Sequence, residues 1–183
     1  QIYENVYSQI RKCYSKRSPL SADNRSSINA VSTRLKCSDK FNVQKPIEYV
    51  ATAPSILVSG KAGIGKTVLI RRILSTFPQV IKHTEYRGQF FDEKQVIWMS
   101  FDMQSSRSRK ALVHNFFNEL DRVLDRQIKS DFIQPRDSID QLFHAMQTAA
   151  LKYYIGLIHI DEAQFVLNSS AKFKDAPTLP EIE

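Results

Sequence analysis

Apolar side chains recur every fourth residue at the start of the chain, at Ile2, Val6, Ile10 and Tyr14, with Tyr3 and Tyr7 beside them. At 3.6 residues per turn these positions form one stripe, so residues 1–15 read as an amphipathic helix whose tyrosines pack. The stripe then dissolves. From "KRSPLSADNRSS" to about residue 46 the chain is rich in Ser, Asn and charge, and reads as a loop or arm with one short helix over 28–35. Order returns at Ser55. "SILVS", 55–59, is short, apolar and β-branched, as suits a strand buried on both faces of a parallel sheet. "GKTVLIRRILSTF" follows with helical spacing and Val68, Ile70, Leu74 and Phe77 turned inward. "QVIWMSFD", 95–102, reads as a second buried strand. A helix from about 106 to 124 then sets Leu112, Phe116, Leu120 and Leu124 on one face. Another helix over 138–152 leads into "IGLIHIDEAQ", whose apolar stretch 155–160 is a third strand. Strands alternating with helices imply an α/β domain with a parallel sheet and right-handed crossovers. The expected organisation is a basic N-terminal arm over 1–50 and an α/β domain over 51–183.

Composition narrows this picture. A chain of 183 residues suits one globular domain with an appended arm. With 42% hydrophobic residues it can build a core, yet no apolar run approaches the roughly 18 residues of a membrane span, so no membrane segment is read. The net charge of +7 is uneven, because residues 1–50 carry nine Lys or Arg against four Asp or Glu. Such an arm can dock on a phosphate backbone or can simply keep the surface solvated. Cys13 and Cys37 stand far apart in no CxxC arrangement, which suggests neither a zinc knuckle nor a disulfide framework and points to a reducing compartment.

The chemistry concentrates at two places. Gly60-x4-Gly65-Lys66-Thr67 matches the P-loop pattern and stands between a strand pattern and a helix pattern, the context that motif requires. Gly60, Lys61, Ala62, Gly63, Ile64, Gly65, Lys66, Thr67 and Val68 are therefore the expected nucleotide envelope. Its backbone N–H groups and the helix N-terminus favour phosphate oxygens, Lys66 brings a point charge to the β and γ phosphates, and the Thr67 hydroxyl can ligate Mg2+. The second place is Leu157-Ile158-His159-Ile160-Asp161-Glu162, an apolar strand ending in two acids. Asp161 is expected to serve the Mg2+ shell and Glu162 to orient the water that attacks the γ-phosphate. Kinases of small molecules need no such adjacent Glu, so the pair favours hydrolysis, with ATP and Mg2+ as cofactors and Lys66 and Glu162 as catalytic groups.

Other constellations carry less. His83, His114, His144 and His159 are widely spaced and have no HExxH or CxxC companions, and His159 reads as a packed core residue. No serine sits in a GxSxG context. "SSRSRK" brings Arg107, Arg109 and Lys110 to the start of the second helix, where they read either as a solvated helix start or as a DNA-facing loop.

"GKAGIGKT", "GLIHIDEAQ" and the run "FPQVIKHTEYRGQFFDEKQVIWMSFDMQSSRSRKALVHNFFNELDRVL" together resemble the TnsC group of AAA+ transposition regulators, with the TniB group as a near relation. The likeness covers roughly 50–168, and the arm "YSQIRKCYSKRSP" is similar to the segment before the ATPase core in that group. The resemblance implies a P-loop NTPase fold of AAA+ type in a bacterial cytoplasm. It implies a protein that binds ATP, assembles as a ring or helical filament on double-stranded DNA, and links a target selector to the transposase. Gly60 to Thr67 match the family's Walker A positions, and Asp161 and Glu162 its Walker B acids. Insertions at the start of the second helix often face the pore of nucleic-acid AAA+ rings, so Arg107, Arg109 and Lys110 are the expected DNA contacts. In "SFDMQS" Met103 replaces the cysteine of an Asp-Cys pair found in many relatives. The resemblance also places further strands, a sensor, an arginine finger and a lid after the Walker B strand, beyond Glu183. The sheet is thus expected to be incomplete in this chain, and the chain alone inactive. The competing expectations are an AAA+ or signalling NTPase with a protein partner and no DNA affinity, or a non-enzymatic interaction module.

Overall fold

The computed structural model describes residues 1–15, 55–103 and 108–163. The expected helix over 28–35, the boundary near residue 50 and Arg107 lie outside the described residues. In chain order the elements are α1 (Ile2–Ser15), α2 (Lys66–Leu74), β1 (Val80–Tyr86), β2 (Gln89–Val96), β3 (Trp98–Asp102), α3 (Arg109–Leu124), α4 (Lys129–Phe132), α5 (Ile139–Lys152) and β4 (Leu157–Asp161). β3 and β4 pair in parallel, from Trp98 opposite Leu157 to Asp102 opposite Asp161, while β1 and β2 form an antiparallel hairpin.

Alternation along β3 and β4 sends successive side chains to opposite faces of this two-stranded sheet. One face carries Met99, Phe101 and Ile160 into a cluster with Val113, Phe116, Phe117 and Leu120 of α3 and Leu142 and Ala149 of α5. The other carries Trp98 and Leu157 into a second cluster, with Val6 and Ile10 of α1 and Ile70, Ile73 and Leu74 of α2. Helices thus cover both faces, as an α/β layering requires.

Local chemistry explains the helices that the periodicity anticipates. Ser108 accepts from the Ala111 N–H at the start of α3, and Asp125 closes its end in a left-handed conformation. Ser138 and Gln141 form a reciprocal capping box at the start of α5. On α3 the buried face is Val113, Phe116, Phe117, Leu120 and Leu124, with Leu112 at its margin. α1 forms over its expected residues, and Tyr3 and Tyr7 stack on Phe77 with ring centroids 5.9 and 6.3 Å away.

Four expectations are corrected. Residues 55–59 form no strand, and Ile56 and Leu57 are 40% and 69% exposed. An apolar run becomes a strand only when a neighbour supplies ladder partners, and the described residues put none beside it. Val68 is 70% exposed, because it lies about 200° round the helix from Ile70 at 100° per residue. The second strand begins at Trp98 and not at Gln95, since Gln95 and Val96 belong to a hairpin that the sequence reading did not contain. That hairpin turns through Arg87 and Gly88, both at positive φ (52° and 75°), the two-residue geometry whose twist matches antiparallel strands. Lastly, His159 is not a core residue, for it lies half-buried on the α2 side of the sheet beside a polar partner.

α1 is keyed to the strands at one point. The Tyr14 hydroxyl reaches the main-chain oxygens of Tyr154 (2.7 Å) and Val96 (3.2 Å), where β4 and β3 begin. Gly156 makes the room, since a Cβ there would run into the Tyr14 hydroxyl and lie 2.7 Å from the Ile97 carbonyl oxygen. A backbone oxygen cannot swing aside as a side chain can. Gly156→Ala is therefore expected to lower the unfolding free energy by about 1–3 kcal/mol, read as an earlier urea midpoint. An unchanged midpoint would mean that Tyr14 is not seated there.

Candidate nucleotide site

The loop before α2 is shaped by its glycines. Gly63 and Gly65 adopt φ of 81° and 85°, and Gly65 occupies the N-cap of α2 in a left-handed conformation with no side-chain cap bond. A Cβ at either position would meet nothing within 4 Å, so glycine is required there for backbone conformation and not for space. At Gly60 a Cβ would lie 2.7 Å from Ile64 Cδ1, a contact internal to the loop. Lys66 bends back across this loop, its ammonium donating to the carbonyl oxygens of Gly60 and Lys61, both at 2.9 Å. A positive charge is thereby held over the mouth of a turn whose following helix has its N-terminus free of a side-chain cap. That combination favours a multiply charged anion.

The sheet face that covers α2 changes character along its length. Trp98 and Leu157 are apolar, Ser100 and His159 are joined by a 2.8 Å hydrogen bond at Nδ1, and Asp102 and Asp161 stand opposite each other at the carboxyl end. Burial lowers the His159 pKa and Arg71 adds to this, while Asp161 and Asp102 oppose it. Arg71 of α2 reaches Asp102 Oδ1 at 3.2 Å, and Asn115 of α3 donates to the Asp102 main-chain oxygen at 3.0 Å. The P-loop helix and the acidic strand ends are thus joined by direct contact. Glu162 leaves β4 at φ 57°, a left-handed conformation unusual for a side-chain-bearing residue, and its N–H donates to Asp161 Oδ1 at 3.0 Å.

Of the expected site residues, Gly60 through Thr67 form the loop and the first turn of α2, and Asp161 and Glu162 close β4. Val68 follows on the exposed side of α2. Arg109 and Lys110 are exposed in the first turn of α3, at the helix end whose dipole disfavours cations. Met103, noted as a departure from the usual cysteine, is fully buried in the α3 cluster, with Asn115 donating to its sulfur at 3.7 Å. Neither Arg71 nor the Ser100–His159 pair belongs to a motif with local spacing. Asp102, an acid at the tip of an apolar strand, carried the same signal as Asp161.

The donors fit magnesium nucleotide. Among the described residues no three His, Cys, Asp or Glu side chains converge on a metal position. Mg2+ needs no such cage, because one or two carboxylates with phosphate oxygens and water suffice. The Thr67 hydroxyl and the Asp161 carboxylate are hard oxygen donors of that kind.

A protein-family model described as an AAA domain matches residues 50–182. A comparison with curated proteins gave no match. Among the described residues no helix is long and apolar enough to cross a membrane.

Gly65→Ala forces a left-handed conformation on a residue with a Cβ, which costs about 1–2 kcal/mol. The nucleotide-free protein is expected to melt earlier by a corresponding amount. An unaltered melting curve would show that the cap takes this conformation only with a ligand.

Proposed function

The chain belongs to the AAA family of P-loop ATPases, and from that premise we propose that it binds ATP with Mg2+ in the loop 60–67 and uses hydrolysis as a switch that governs its assembly on double-stranded DNA during transposition. The observation that carries the nucleotide part is the 3.2 Å contact of Arg71, on the P-loop helix, with Asp102, the register partner of Asp161. It supports reading the Thr67 helix and the acidic strand ends as parts of one site.

Each residue then has a role. The N–H groups of the loop and the α2 N-terminus bind phosphate oxygens, with the glycines at 63 and 65 permitting the wrap. Lys66 exchanges its two carbonyl contacts for the β and γ phosphates. Thr67 and Asp161 hold Mg2+, which when bound neutralises charge developing on the phosphates. Glu162, turned out of the strand by its left-handed backbone, orients the attacking water and takes up its proton.

The DNA-directed part of the reading is supported by the sequence resemblance over 50–168 and by the charge excess of the first fifty residues. The exposed cations Arg109 and Lys110 gain nothing from the helix end they occupy, which suits residues kept for an anionic partner. With Arg107 they form the proposed phosphate contact. The partners are duplex DNA, further copies of the chain in a ring or filament, a transposase and a target selector, in a bacterial cytoplasm.

Two measurements test this. In a labelled-duplex titration with a non-hydrolysable ATP analogue at two salt concentrations, binding is expected to need nucleotide, to be cooperative and to weaken with salt. Nucleotide binding with no DNA response would instead favour a protein partner. In the same assay Lys66→Ala is expected to remove nucleotide affinity and with it the DNA response. Glu162→Gln should keep ATP-dependent assembly while lowering turnover by roughly 10²–10⁴-fold. Full turnover in either variant would remove the mechanism.

A further inference from the structure

Asp102 and Asp161 face each other across neighbouring parallel strands, about 4.8 Å apart by strand spacing. The spacing is that of the two backbones, and it sets both acids at the same carboxyl end of the sheet. Arg71 stands on one side of this pair only, with its guanidinium 3.2 Å from Asp102 Oδ1. It also lies four residues after Thr67 on α2, and positions four apart share a helix face. One ion pair therefore joins the helix face that bears Thr67 to the strand level that bears Asp161. On the sheet side the end of β3 is fixed a second time, by Asn115 donating to the Asp102 main-chain oxygen at 3.0 Å.

The pair is a poor stability device. Its side chains are 56% and 34% exposed, and ion pairs at such exposure contribute little to folding. Its placement has a different use. The cation engages Asp102, while Asp161 Oδ1 accepts from the Glu162 N–H, and the ion pair ties the helix that bears Thr67 to that end of the sheet.

We propose that Arg71 and Asp102 are a positioning pair that sets the separation of Thr67 from Asp161 and thereby the strength of Mg2+-dependent nucleotide binding. This rests on the reading of Thr67 and Asp161 as Mg2+ ligands. In this reading neither member of the pair is a ligand of the metal or the nucleotide. Simple charge accounting predicts the opposite sign to positioning, because deleting a cation beside a metal site should strengthen metal binding.

The experiment measures the affinity of a fluorescent ATP analogue for the protein in Mg2+ and in EDTA, and takes the ratio as the metal-dependent gain. Arg71→Ala and Asp102→Ala are each expected to lower that gain by roughly tenfold, as loss of groups that orient metal ligands does, with affinity in EDTA unchanged. The double variant should lose no more than either single one. The swapped pair Arg71→Asp with Asp102→Arg should recover most of the gain, and Arg71→Lys part of it, because a lysine keeps the charge without the planar fork. Circular dichroism confirms folding of each variant, and Arg71→Lys carries the test if Arg71→Ala does not fold. A gain left intact or raised by Arg71→Ala overturns the proposal. Loss with Asp102→Ala alone also overturns it, by making Asp102 itself a ligand. A wild-type protein with no metal-dependent gain sinks instead the assignment of Thr67 and Asp161, and the pair with it.

Discussion

The parallel register of β3 with β4 determines the position of everything else. Each strand is only five residues long, and two such strands have no stability by themselves, so the pair persists because helices bury both of its faces. The register places Met99 and Phe101 toward the α3–α5 layer and Ser100 and Asp102 toward α2. A slip of one residue would exchange those sets, sending carboxylates into the apolar cluster. The penalty for burying unpaired carboxylates is what locks the pairing, and it is also what brings Asp102 and Asp161 out together at one end.

From that constraint the site inherits its geometry. The face toward α2 is apolar where the helix must pack and becomes polar toward the end where the P-loop begins. Packing and chemistry are thus graded along a single surface instead of divided between separate regions. Half-buried at mid-strand, His159 has its pKa lowered by burial and its Nδ1 hydrogen-bonded to Ser100, between the apolar anchor and the acids.

Elements whose order depends on their own residues were legible. α3 and α5 announce themselves by period and by the caps Ser108 and Ser138, and the P-loop by its spacing. The hairpin escaped because its strands mix charge with apolar residues at Lys82, Glu85, Asp92 and Lys94, and its turn uses Arg-Gly where Asn-Gly would have been conspicuous. Residues 55–59 illustrate the converse error, for β-branched composition says what suits a strand but not whether a partner lies alongside. Arg71 and Asp102 are 31 residues apart, and nothing in local spacing pairs them. Half of the site, the loop and the terminal acids, could be read as motif; the contact that joins the halves is a product of topology.

The Tyr14 anchor has a bearing on the order in which the protein assembles. Its hydroxyl meets a carbonyl oxygen 140 positions further along the chain, so α1 is made first but finds its seat only after Tyr154 has been synthesised. At ribosomal speeds of about 5–20 residues per second, the Tyr14 hydroxyl waits something like 7–30 seconds for that partner, whereas Ile70, Ile73 and Leu74, which share the cluster of Val6 and Ile10, emerge well before it. Seating that hydroxyl closes one of the longest loops in the fold, an event that belongs near the end of folding.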